Sequence, residues 1–123
     1  MSGKKIVIID DDTRNIFALT ATLHSRKYEC ISFYDAKDAL NALENSACDI
    51  ILIDMMMPDI DGYEAIPRIR NIKGKEHIPI IAVTAQAMMG DKEKCIAAGA
   101  DDYISKPIDV DKLLSILNEH LKK

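Results

Sequence analysis

Asp10, Asp11 and Asp12 follow directly on a short apolar run, and Asp54 closes another. Thr84-Ala85 and Lys106-Pro107 stand at the ends of two further runs. Brought together, Asp10, Asp11 and Asp54 would crowd three carboxylates. Like charges raise one another's pKa and destabilise such a site, and a hard divalent cation relieves the repulsion. Mg²⁺ suits this role, because it prefers oxygen ligands, keeps several waters and joins one or two carboxylates to a phosphate. No His or Cys belongs to the set, which counts against zinc or copper. Lys106 adds a cation and Thr84 a hydroxyl donor. A carboxylate can act as a nucleophile and form an aspartyl-phosphate. A metal and a lysine can neutralise charge on the equatorial oxygens, while a hydroxyl and backbone N–H groups orient them. The parts suit phosphoryl transfer.

Each part also has a plain structural role. An acidic triplet after a strand serves as a solvated turn or a helix cap, and Asp12 and Thr13 compete for such a cap. Asp54 before Met55-Met56-Met57-Pro58 can be a strand end, Thr84 can cap the next turn, and Lys-Pro is a common loop dipeptide. Taken singly, these roles are sufficient. Four strand ends carrying compatible groups are harder to explain that way.

The elements that must gather these residues are legible from periodicity. Residues 6–9, 50–53 and 80–83 are rich in Ile and Val with no polar alternation, as in strands covered on both faces of a parallel sheet. Residues 30–34 and 102–105 are more polar and read as edge strands. Helical stripes lie between them: Ile16, Leu19, Thr20 and Leu23; Ala36, Ala39, Leu40 and Leu43; and Val110, Leu113, Leu114, Leu117 and Leu121. Met89, Lys92, Cys95 and Ile96 form a weaker helix that Gly99 would terminate. Another helix runs from near Asp61, its expected cap, to Ile72. Pro67 interrupts that pattern, so this helix either starts late, with Pro67 in its first turn, or bends there.

Strand and helix thus alternate five times, an α/β class with right-handed crossovers. With the three most apolar strands central, a doubly wound five-stranded parallel sheet of order 2-1-3-4-5 is predicted. In such sheets ligands bind beyond the carboxyl ends of the strands, where all the residues named first would meet.

The chain has 123 residues, enough for one domain with one core over residues 1–123. Its net charge of −4, with scattered basic residues, argues against nucleic acid as a direct partner. Cys30, Cys48 and Cys95 include no C-x-x-C pair, so buried free thiols in a reducing compartment are expected. With no signal peptide and no apolar stretch long enough for a bilayer, a cytoplasmic location without membrane insertion is expected.

Over nearly its whole length the sequence resembles a response-regulator receiver domain of two-component signalling. The resemblance rests on Ile6-Val7-Ile8-Ile9-Asp10-Asp11-Asp12, on Asp54-Met55-Met56-Met57-Pro58 with Asp61-Gly62, and on Val83-Thr84-Ala85. It is completed by Ala98-Gly99-Ala100-Asp101-Asp102-Tyr103-Ile104 leading to Lys106-Pro107. It implies a flavodoxin-like (βα)5 fold with Asp54 as phosphoacceptor. Asp11, Asp54 and the backbone carbonyl of Met56 would bind Mg²⁺ directly, and Asp10 through water. Thr84 and the backbone N–H of Ala85 would hold the phosphoryl oxygens, Lys106 would pair with the phosphoryl group, and the Lys106–Pro107 bond would be cis. The phosphodonor would be a phosphohistidine on a histidine kinase or phosphotransfer protein. Asp12 to Leu19 and Met57 to Glu64 resemble receivers at the ends of hybrid sensor kinases.

The resemblance further implies that Met56 and Gln86 tune hydrolysis of the acyl phosphate. Thr84 and Tyr103 would form a switch pair, and a homodimer or partner would dock on the fourth helix, fifth strand and fifth helix. Tyr103 has a plain structural reading too, as an edge-strand aromatic lying across the sheet rim, but the presence of both members of the pair favours the switch. Three alternatives share parts of this pattern. A haloacid-dehalogenase-like phosphatase also uses an aspartyl-phosphate, but Asp10-Asp11-Asp12-Thr13-Arg14 fails the last position of its D-x-D-x-[TV] motif, and no cap domain follows. A flavodoxin-like electron carrier needs a Ser/Thr/Gly-rich phosphate loop where this chain has acids. A docking domain independent of phosphorylation would not need the complete acceptor set.

Overall fold

The computed structural model describes residues 3–85 and 90–121. Five strands and five helices alternate: β1 (Lys5–Ile9), α1 (Thr13–Ser25), β2 (Glu29–Phe33), α2 (Ala36–Leu43), β3 (Ile50–Asp54), α3 (Gly62–Arg70), β4 (Ile80–Thr84), α4 (Asp91–Ala98), β5 (Asp102–Ser105) and α5 (Val110–Leu121). All strand pairs are parallel, in the order β2-β1-β3-β4-β5. This is the order expected from placing the three most apolar strands at the centre. β3 and β4 are buried at every position, because helices cover both faces and leave no room for a polar alternation. β2, at an edge, is half-buried or exposed throughout.

Alternation along the strands divides the core in two. Val7, Ile9, Ile51, Ile53, Ile80 and Ala82 pack with α2, α3 and Cys95 of α4. Ile6, Ile8, Ile50, Leu52, Ile81, Val83 and Ile104 pack with α1 and α5. Burying one Ile or Leu contributes about 1.5–3 kcal/mol, so these two layers hold the sheet rim in place.

Local chemistry sets the helix starts. The Asp12 side chain accepts the N–H groups of Arg14 and Asn15, which decides its competition with Thr13 for the α1 cap. Asp61 accepts from Glu64 N at 2.9 Å and caps α3 as expected. Gly99 ends α4 in the left-handed conformation at φ 117°, the residue type suited to that position.

Four expectations need revision. Cys30 and Cys48 are half-buried rather than buried, and only Cys95 of the three thiols lies in the core. α3 begins at Gly62, so Pro67 lies in its interior and the late start does not occur; the helix also ends at Arg70 rather than Ile72. Pro67 is on the exposed face, where its missing N–H costs one helical bond without disturbing the core. On α5 the buried positions are Leu113, Ile116 and Leu117, with Leu114 half-buried: the core stripe takes in Ile116, which the spacing argument left out. On α4, Cys95 is buried but Ile96 is 41% exposed, so among the described residues of the weak stripe Cys95 alone reaches the core. Met89 lies outside the described residues.

Candidate phosphoacceptor site

The carboxyl ends of β1, β3, β4 and β5 bring together the residues that the sequence singled out. Asp10, one residue beyond β1, has a relative exposure of 2%, Asp54 at the end of β3 has 3%, and Thr84 at the end of β4 has 4%. These are the only buried polar or charged residues among those described. The register explains the convergence: Ile9 pairs with Ile53, Asp54 with Val83, and Thr84 with Ser105, so the strands end nearly level.

Carboxylate oxygens of Asp10, Asp11 and Asp54 lie within 4.8 Å of one another, with Asp11 exposed and the other two buried. Lys106 reaches over from beyond β5. Its Nζ lies 3.3 Å from Asp54 Oδ2 and 3.6 Å from Asp10 Oδ2. The other Asp54 oxygen, Oδ1, accepts the backbone N–H of Met56 at 3.0 Å. Lys106 is itself anchored by its backbone N–H, which donates to the Thr84 carbonyl at 2.8 Å, and the Lys106–Pro107 bond is cis.

Burial pushes the Asp54 carboxyl above the usual aspartate range, and the charge of Asp10 pushes the same way; the Met56 N–H and the Lys106 ammonium oppose them. Lys106 is raised: burial works against its charge, but the two carboxylates outweigh it. The two partners tell one story, a pair of carboxylates sharing a single ammonium. One cation among three carboxylates leaves the pocket short of positive charge. The donor set is oxygen only, which fits Mg²⁺ with waters completing its shell.

Asn15 was not foreseen in this role. From the first turn of α1 its side-chain amide donates to Asp10 Oδ2, while the Asp12 N–H donates to Asp10 Oδ1 at 2.9 Å. Asp10 is thus held on both oxygens. Position offered the only hint: the first turn of a helix that follows an acidic loop faces that loop. Met56 is 66% exposed, with its side chain outside the core. Tyr103 is half-buried against the α2–α3–α4 side, opposite Ile104, as strand alternation predicts. Thr84 alternates with Ala82 and Ile80 onto that same side, and Ala82 pairs with Tyr103. Ala85 is exposed at the rim, and Gln86 lies outside the described residues.

The family description "Response regulator receiver domain" matches residues 6–118. Among curated proteins, the chain is similar to hybrid signal transduction histidine kinase I of Dictyostelium discoideum, 39% identical over 130 residues that cover 100% of this chain and 8% of that protein. It is also similar to the polar-differentiation response regulator DivK of Brucella ovis, 32% identical over 118 residues and covering 96% of each. The chain therefore spans under a tenth of the first relative and nearly the whole of the second. Among solved structures it is similar to the receiver domain of sensor histidine kinase PA1611 from Pseudomonas aeruginosa PAO1. The TM-score is 0.91 at 34% identity, covering 99% of this chain and 100% of that one, which has a magnesium ion coordinated in its active site cleft. Sheet order, strand-end chemistry and these likenesses agree, and the chain belongs to the response regulator receiver domain family, the phosphoacceptor domains of two-component signalling.

Proposed function

We propose that Asp54 is the phosphoacceptor and that the chain takes its phosphoryl group from a phosphohistidine on a histidine kinase or phosphotransfer protein, with Mg²⁺ bound directly by Asp11, Asp54 and the Met56 carbonyl and through water by Asp10. The observation that carries this reading is the placement of Asp54: buried, with one oxygen facing Lys106 and the acids of Asp10 and Asp11 beside it. An Asp54 carboxylate oxygen attacks phosphorus. The P–N bond of the donor breaks, its electron pair stays on the imidazole nitrogen, and that nitrogen takes up a proton. Bound Mg²⁺ would supply charge neutralisation for the carboxylates and the transferred group.

The protein's own groups orient the reaction. The Met56 N–H holds Asp54 Oδ1, leaving Oδ2 toward Lys106. Lys106 trades its carboxylate contacts for the phosphoryl oxygens, and Thr84 with the Ala85 N–H completes their cradle. Met56, exposed beside the acceptor, and Gln86 tune access of the hydrolytic water. Thr84 and Tyr103 form the switch, and α4, β5 and α5 form the face that reports it to a partner or a second copy. The domain's setting is cytoplasmic, either as part of a hybrid kinase or as a single-domain regulator. A haloacid-dehalogenase-like phosphatase is not favoured, since Asp10-Asp11-Asp12-Thr13-Arg14 fails the last position of its D-x-D-x-[TV] motif.

The test is incorporation of phosphate from acetyl phosphate. Asp54→Ala should abolish it and require no change in fold by circular dichroism, whereas Asp59→Ala and Asp61→Ala should keep it. Label retained in Asp54→Ala would place the acceptor elsewhere. Incorporation that ignores Mg²⁺ removal would overturn the metal's part.

A further inference from the structure

A second convergence of ligating side chains lies at the other end of the sheet. Asp102 is the first residue of β5, at the rim opposite Asp54, while Glu119 and His120 are in the last turn of α5, which runs back along the strands. Ligand atoms of Asp102, Glu119 and His120 all lie within 4.8 Å of one another. Nε2 of His120 stands 3.2 Å from Oδ2 of Asp102. The other Asp102 oxygen, Oδ1, accepts the N–H of Tyr103 at 2.8 Å, which fixes the carboxylate so that Oδ2 faces the imidazole. Both side chains are largely packed, at 19% exposure for His120 and 26% for Asp102, so neither is free to swing into solvent; Glu119 closes the group from the exposed side.

We propose that Asp102, Glu119 and His120 form a second cation site, selective for a borderline transition metal such as Zn²⁺ over Mg²⁺. The donor set differs in kind from that around Asp54. One imidazole nitrogen with two carboxylates suits Zn²⁺, Ni²⁺ or Cu²⁺, whereas an all-oxygen set suits Mg²⁺. Three protein ligands leave a tetrahedral ion one position for water, so the site is exchangeable rather than structural. Its ligands come from β5 and α5, and a bound ion bridges the start of the strand to the end of the helix. An ion pair between His120 and Asp102 needs no Glu119. The third ligand on the same point is what separates a metal site from a simple pair.

The experiment uses the whole chain at pH 7.5 in excess Mg²⁺, which occupies the acidic cluster, with Zn²⁺ as the probe. The chain has three histidines, so the imidazole nitrogens give three resolvable sets of NMR signals. Zn²⁺ should move the Nε2 signal of His120, assigned by its loss in His120→Gln, and leave those of His24 and His77 in place. Calorimetric Zn²⁺ affinity should fall by about tenfold or more in His120→Gln and in Asp102→Asn, because loss of even a group that only supports a ligand costs ~10–100-fold. Glu119→Gln, a surface change that spares folding, should weaken it as well. Zn²⁺ that shifts only His24, His77 or the Asp54 region would overturn the site, as would unchanged affinity in both His120→Gln and Glu119→Gln. No heat or shift at millimolar Zn²⁺ would leave an ion pair alone.

Discussion

At the scale of single residues, the proposed acceptor Asp54 is held in a state that costs the fold free energy. Ionised Asp54 is buried beside Asp10, and Lys106 with the Met56 N–H compensates only in part, so its carboxyl titrates above the usual range. A carboxyl with a raised folded pKa contributes stability that is present below the ordinary aspartate range and lost as pH rises through the folded value. Asp54→Asn removes the titration while keeping an acceptor oxygen for the Met56 N–H. The variant should therefore be more stable than wild type near neutral pH, with the gap closing as pH falls toward ~4. Urea unfolding at both pH values measures it, and a gap that widens in acid would contradict the burial argument. A cation at the site, as proposed, would relieve a repulsion that the fold has already imposed.

Among the elements, the join between β3 and α3 carries the tightest constraint. A Cβ at Gly62 would stand 2.8 Å from Met55 Cα and 2.4 Å from its Sδ. The clash with Sδ could be relieved by rotation, but the one with the backbone could not. Gly62 N also donates to the Met55 carbonyl at 3.2 Å, tying the first residue of α3 to the residue after Asp54. Gly62→Ala should cost about 1–3 kcal/mol through overpacking. Because the displaced segment is the one bearing the Met56 N–H, phosphate incorporation should slow as well. Denaturant midpoints and acetyl-phosphate kinetics read the two effects. An alanine variant as stable and as fast as wild type would show that the β3–α3 loop yields freely. Pro67 makes the contrasting case: a proline inside a continuous helix is accommodated on the exposed face, away from the core.

For the whole molecule, the issue is how a change at Asp54 reaches a surface. A ligand shifts a two-state element only through contacts that differ between the states. Thr84 and Tyr103 project on one side of neighbouring strands, so in the proposed switch a Thr84 hydroxyl that turns toward the phosphoryl group would change the space open to the Tyr103 ring. Beryllofluoride, a mimic of the phosphoryl group, should therefore shift the amides of Thr84, Ala85 and residues 101–106, and these shifts should shrink in Thr84→Ala. Changes limited to the neighbours of Asp54 would mean that acceptor and surface are uncoupled. His120, clasped to Asp102 at the start of the same strand, offers the far end of β5 a separate anchor.

Sequence alone determined what depends on local period and residue type. The Ile/Val runs without alternation specified buried parallel strands, their ranking in apolarity separated central from edge strands, which the common doubly wound order 2-1-3-4-5 satisfies, and the capping aspartates and Gly99 marked the helix ends. The candidate set Asp10, Asp54, Thr84 and Lys106 was legible for the same reason: each sits at or just beyond a strand end, and a doubly wound sheet brings strand ends to one rim. The tertiary structure decided what depends on distances across elements. It set Lys106 between two carboxylates, brought Asn15 onto Asp10, chose Ile116 for the α5 core face, and carried His120 to Asp102 across the sheet. A helical repeat near 3.6 residues fixes which side chains share a face to within a fraction of a turn, but not which of two adjacent faces meets the sheet. That choice waits on packing, where the burial of a whole layer outweighs any single side chain.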